Sequence, residues 1–299
     1  MPGFENIHIE LDVLNPDVYL NHIPQLEAQQ IEIGRNIVVA VLGATIWDIL
    51  VYIPDDIRIV KRSSRFSFVT FCYFFSRISA VVHALLGSME RAIPIYHLYP
   101  YVIFSSCLLS LSAISSSYIF LQRAQAIYAE RKSPQKFFFI SWLFVFGAGC
   151  LIPLGVHPSY IPGTYYYRYP GLATYVIAAP LVLLLFDTLV FIAISYKIYK
   201  EHSMDVDSME VQRTSWIRLL SGRKLPLISK AVLRGGQQYY SATVGITVFA
   251  VIGLCLPKNF RLVGVAFSLV VIPLSASMAG RVFRNLKLLE ADSSTLNIV

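Results

Sequence analysis

Seven apolar stretches of about 20 residues each, separated by shorter polar segments, run along the 299-residue chain. A stretch of that length crosses the hydrocarbon core of a bilayer as an α-helix, and open backbone cannot sit in lipid with its polar groups unpaired. The chain therefore reads as all-α, a seven-transmembrane helix bundle. The stretches lie at about 33–53, 66–86, 101–121, 137–156, 172–196, 239–256 and 262–279. Pro54-Asp55-Asp56 is expected to end the first, and Pro257-Lys258-Asn259 to turn between the last two. The alternating ten-residue segments of a barrel are not seen. Composition agrees: 56% of residues are hydrophobic and 14% charged, against roughly 25% charged in soluble domains.

Lysine and arginine set the orientation. Segments 54–65, 122–136, 197–236 and 281–299 hold four, four, eight and three of them. These nineteen face five on the other side, Arg35, Arg91, Arg168, Lys258 and Arg261. The richer side is expected in the cytoplasm. This places the N-terminus outside and the C-terminus in the cytoplasm, with an extracellular segment over 1–30, a transmembrane domain over 31–280 and a cytoplasmic tail over 281–299. The first thirty residues are acidic and lack a basic, then apolar, leader pattern, so no cleavable signal peptide is expected. The net charge of +7 is spread over loops flanking the apolar runs, which argues for membrane topology and against nucleic acid. The bilayer is the expected partner, in a plasma membrane or an endomembrane.

Three charged residues fall well inside the spans: Asp48, Arg77 and Asp187. Such residues usually pair or line a wet cavity, because a bare charge in lipid costs several kcal/mol. Measured from the inner helix ends they lie at depths of roughly 7 Å for Asp48, 16 Å for Arg77 and 13 Å for Asp187. Both carboxylates are within axial reach of the guanidinium, and Asp187 matches its depth best. A structural ion pair is favoured over a catalytic or conducting role. His83 has no second metal ligand at helical spacing, and the Glu90-Arg91 pair is expected to be solvated. The serine-rich third stretch (Ser105, Ser106, Ser110, Ser112 and Ser115 to Ser117) suits a central helix approached closely by its neighbours.

Cys72, Cys107, Cys150 and Cys255 all lie in apolar runs, with neither disulfide nor zinc spacing. No metal site and no cofactor is expected; the seventh stretch lacks the lysine a retinal Schiff base would need. The outer loop 157–171 carries Tyr160, Tyr165, Tyr166, Tyr167 and Tyr169. It reads as an aromatic belt at the headgroup level or, more sharply, as a lid over a small-molecule ligand on the outer side. The long inner segment between the fifth and sixth stretches reads as a mobile loop or a cytoplasmic effector contact.

Several short motifs carry a family resemblance: Trp47-Asp48-x-Leu50, the run from Asp55-Asp56 to Lys61-Arg62, Arg77, Arg123-Ala124-Gln125-Ala126-Ile127-Tyr128, Phe186-Asp187 and Leu233-Arg234-Gly235-Gly236. With the basic stretch from Arg281 to Lys287, they resemble a large family of uncharacterised multi-pass membrane proteins of mushroom-forming (basidiomycete) fungi. The family typically has Tyr where Ile78 stands and Asp where Gly235 stands. The resemblance covers about 40–290 and implies a seven-helix, receptor-like topology in a fungal membrane. It supplies no activity. Signalling or ligand sensing is the leading functional expectation; a membrane-embedded enzyme of lipid or terpenoid metabolism, or a transporter, is the alternative.

The charge bias makes a direct prediction. A reporter fused after Lys287 faces the cytoplasm and one placed before Gln29 faces outward, read by protease protection in intact cells. Both reporters on one side would require an even number of spans.

Overall fold

The computed structural model describes residues 19–62, 67–129, 131–161, 163–206, 243–255, 268–285 and 287. Helices dominate. They are α1 (Gln25–Arg62), α2 (Phe68–Met89), α3 (Leu98–Ile127), α4 (Lys132–Gly155), α5 (Ala178–Val206), α6 (Thr243–Cys255) and α7 (268–285). Short 3-10 turns at Tyr19–His22 and Thr174–Ile177 precede α1 and α5. Among the described residues, α1 to α5, the last with its leading turn, are long and apolar enough to cross a membrane. The turn expected at Pro257-Lys258-Asn259, most of the loop between α5 and α6, and the Leu233-Arg234-Gly235-Gly236 motif lie outside the described residues.

Helix α3 is the spine. It packs against α2, α4 and α5, and 61% of its apolar window is buried, against 6% for α1. Small side chains explain the close approach. The Ser112 hydroxyl donates across the interface to the Ser76 carbonyl at 2.9 Å. Ser110, Ser116 and Ser117 turn their hydroxyls back onto carbonyls of their own helix, so these three donors are satisfied within the apolar interior. Gly149 of α4 lets Ile114 of α3 come close, since a Cβ there would meet the Ile114 side chain at 3.1 Å. Phe186, Val190 and Ile194 of α5 complete the main core with Leu121, Ala124 and Phe138.

Two features depart from the sequence expectation. First, α1 does not stop at Pro54-Asp55-Asp56 but continues through Pro54 to Arg62. An interior proline costs a helix roughly 3 kcal/mol, and contacts beyond it offset that cost. Ile59 is buried against Cys72, Tyr73 and Ile119, while Asp56 is held by α2. Second, the tyrosine-rich loop is a β-hairpin, β1 (Val156–Tyr160) antiparallel to β2 (Tyr167–Leu172), with an irregularity between His157 and Ser159. Pro158 stands there and has no N–H to give the ladder. At the tip Gly163 takes φ 77°, a left-handed backbone that glycine adopts without strain, and Thr164 N–H donates to the Ile161 carbonyl at 3.0 Å.

The hairpin is docked onto the α2–α3 connection. Ile95 N–H donates to the Tyr165 carbonyl at 3.0 Å, the Tyr160 hydroxyl donates to the Tyr96 carbonyl at 2.8 Å, and the Tyr96 and Tyr165 rings lie 5.0 Å apart. Beneath it, Gly155 passes so near the 3-10 turn that a Cβ would lie 2.2 Å from Val176.

Candidate functional site

Two polar clusters sit along α2, one on each side of its midpoint. The first surrounds Arg77, which is 4% exposed. Its Nη1 donates to Asp56 Oδ2 at 2.6 Å and contacts the Tyr73 hydroxyl at 2.7 Å. Its Nη2 reaches the Asp48 backbone carbonyl and carboxylate at 3.2 and 3.3 Å. The Tyr73 hydroxyl in turn donates to Asp56. From α7, the Ser277 hydroxyl donates to Asp48 at 2.8 Å, Arg281 reaches the same oxygen at 3.3 Å, and Arg284 donates to the Tyr73 hydroxyl at 2.6 Å. Among the described residues, three guanidiniums thus face two carboxylates. The Tyr52 ring lies 3.7 Å from the Arg284 guanidinium carbon and helps to disperse the surplus positive charge.

The structure brings Arg77 and Asp48 together, as the sequence suggested, and corrects the choice of main partner. Asp187 matches Arg77 in depth, but the carboxylate in tightest contact is Asp56, with Asp48 second. Depth fixes height and says nothing of which face a helix presents. Asp187 stands beside Phe186 on α5, which shares its core cluster with residues of α3 and α4 and with Ile272 of α7, and its Oδ1 is buried without a hydrogen-bond partner among the described residues. The signal for the missed residues was periodicity. Asp48, Tyr52 and Asp56 recur every four residues, Tyr73 and Arg77 are four apart, and Ser277, Arg281 and Arg284 fall at i, i+4 and i+7.

The second cluster lies toward the hairpin end. Glu90 and Arg91 are buried, 8% and 5% exposed, and pair at 2.8 Å. The expected solvated pair is therefore an enclosed one, because the loop after α2 folds back and Arg91 also donates to the Gly87 carbonyl. Burial pushes the Glu90 carboxyl above its ordinary range, and the Arg91 guanidinium opposes that shift. About two helical turns earlier, His83 Nδ1 is 3.0 Å from both the carbonyl and the hydroxyl oxygen of Ser105. Because a carbonyl only accepts, the Ser105 carbonyl contact favours the tautomer with the proton on Nδ1, which leaves Nε2 as an acceptor.

These residues form one end of a cavity of about 160 Å³ in the bundle. His83, Glu90, Arg91, Ser105 and Ser106 are its polar wall; the remainder is apolar, built by residues such as Leu109, Val145, Leu183 and Leu254 from α3, α4, α5 and α6. Val156 and Val176, at the base of the hairpin, close one side. Its volume is close to that of an engineered apolar cavity of about 150 Å³ that takes up benzene, so it has room for a ring-sized guest.

Among the described residues, five helices long and apolar enough to cross a membrane are compatible with an integral membrane protein. No protein-family model matches the sequence, and no curated protein or solved structure shows significant similarity to it.

The arginine centre has a measurable steric requirement. A Cβ on Gly280 would lie 2.9 Å from the Tyr73 ring, which is fully buried and pinned by its hydrogen bonds. Gly280→Ala should cost about 1–3 kcal/mol by overpacking, read as thermal stability in detergent. Gly147→Ala, where nothing lies within 4 Å, is the control and should be neutral or gain up to about 1 kcal/mol of helix propensity.

Proposed function

We propose that the chain is a seven-helix integral membrane protein, N-terminus outside and C-terminus in the cytoplasm, that senses a small and largely apolar molecule bound in the cavity. The observation that carries this reading is the cavity itself, apolar on most of its wall and polar at one end. Binding sites of this kind are concave and mostly apolar, with a few converging polar groups that fix orientation. The charge bias of nineteen against five supports the orientation, which puts the cavity and its hairpin in the outer half of the bundle. An outer-side ligand then has a covered site, and the basic loop between α5 and α6 is available to a cytoplasmic effector. The resemblance to the multi-pass proteins of mushroom-forming fungi is consistent with a receptor-like role of this kind.

Fluorobenzene tests the binding step. With the protein in lipid nanodiscs, ¹⁹F NMR should show a saturable bound signal distinct from lipid-partitioned ligand. Ala179→Phe fills the cavity wall and should remove that signal while helix content by circular dichroism is kept. A missing signal in the wild type, or one unaffected by filling, would defeat the reading.

A further inference from the structure

We propose that the cavity selects an uncharged, mainly apolar molecule carrying a single hydroxyl, which donates its proton to His83 Nε2. This rests on the cavity being a ligand site and specifies the chemistry of its occupant. Three observations converge on it.

The first is charge. Glu90 and Arg91 are matched to each other at 2.8 Å. An ionised ligand would have to break that pair or enter an apolar chamber uncompensated, and burying an unpaired charge is among the costliest steps in binding. The second is hydrogen-bond polarity. His83 is 7% exposed and its Nδ1 lies 3.0 Å from the Ser105 carbonyl; in the tautomer that this contact favours, the ring meets the cavity it lines as an acceptor. An alcohol satisfies that acceptor, whereas a ketone, an aldehyde or a hydrocarbon leaves it unmet. The Ser106 hydroxyl, on the same polar wall, can donate to the oxygen of the incoming hydroxyl. The third is size. About 160 Å³ admits roughly one substituted ring or a comparable branched chain. The apolar wall made by Leu109, Val145 and Leu183 takes the hydrocarbon part while the hydroxyl points toward α2.

Competition against bound fluorobenzene in nanodiscs, at matched free concentrations corrected for lipid partitioning, tests this with toluene, benzyl alcohol, benzaldehyde and benzoate. Benzyl alcohol should compete at least about fivefold better than toluene or benzaldehyde, the value of one net hydrogen bond, and benzoate should be the weakest. His83→Leu should abolish the advantage of the alcohol over toluene. If fluorobenzene binds but alcohol, aldehyde and hydrocarbon compete equally, the hydroxyl selectivity is refuted and the cavity reading stands. If benzoate competes best, the site recognises anions and the uncharged class is refuted. If fluorobenzene itself does not bind, the failure belongs to the cavity reading. The wild-type series decides the matter even if the His83 variant does not fold.

Discussion

A guanidinium inside an apolar bundle must be compensated where it stands, and the helices around Arg77 are arranged to do so. Its two Nη nitrogens are met by Asp56 and Asp48 of α1 and Tyr73 of its own helix, while α7 adds Ser277, Arg281 and Arg284 to the same carboxylates and hydroxyl. One buried charge thereby sets the relative height and rotation of three helices. That constraint explains why α1 carries on past Pro54. Ending there would leave Asp56 outside the helix, and Arg77 would lose its shortest contact. It also explains the glycine on α7 at 280, where the α7 backbone comes against the Tyr73 ring.

Along α2 the same helix serves two ends. Arg77 and His83 are six residues apart, roughly 9 Å along the axis, and belong to different networks. The first is dense, charged and tied to α1 and α7. The second is sparse, with a histidine fixed by one neighbour and an ion pair facing an apolar chamber. Helix α3 connects them by packing on α2 throughout, its serines satisfying carbonyls at Ser76 near the first network and receiving His83 at Ser105 in the second. A guest pressing on the His83 side therefore bears on a helix whose other half is clamped.

Much of this was legible in the sequence, for physical reasons that also mark where legibility stops. Hydropathy located the five long apolar helices, because a long apolar run pairs its backbone polar groups most simply as a helix, and the serine content of the third stretch marked the most buried of them. Arg77 announced itself by its cost. Its main partner did not, because Pro54-Asp55-Asp56 carries the ordinary signature of a helix end and only tertiary contacts show that the helix continues. Glu90-Arg91 looked like a pair in water, since burial by a returning loop leaves no local trace. The hairpin was concealed by its tyrosines, which suit a headgroup belt equally well; its one local clue was Pro162-Gly163. The cavity depends on where six helices, α2 to α7, leave a gap, a property of packing that no single stretch encodes.

The central claim is that Arg77 is held chiefly by Asp56, and a double-mutant cycle measures it most directly. Thermal or denaturant unfolding in one detergent would be followed for Arg77→Leu, Asp56→Leu and the double variant, with a parallel cycle using Asp187→Leu. The structure predicts a coupling of about 2 kcal/mol or more for Arg77 with Asp56, and none beyond about 0.5 kcal/mol for Arg77 with Asp187. Additive losses in the first cycle, or the larger coupling in the second, would contradict it.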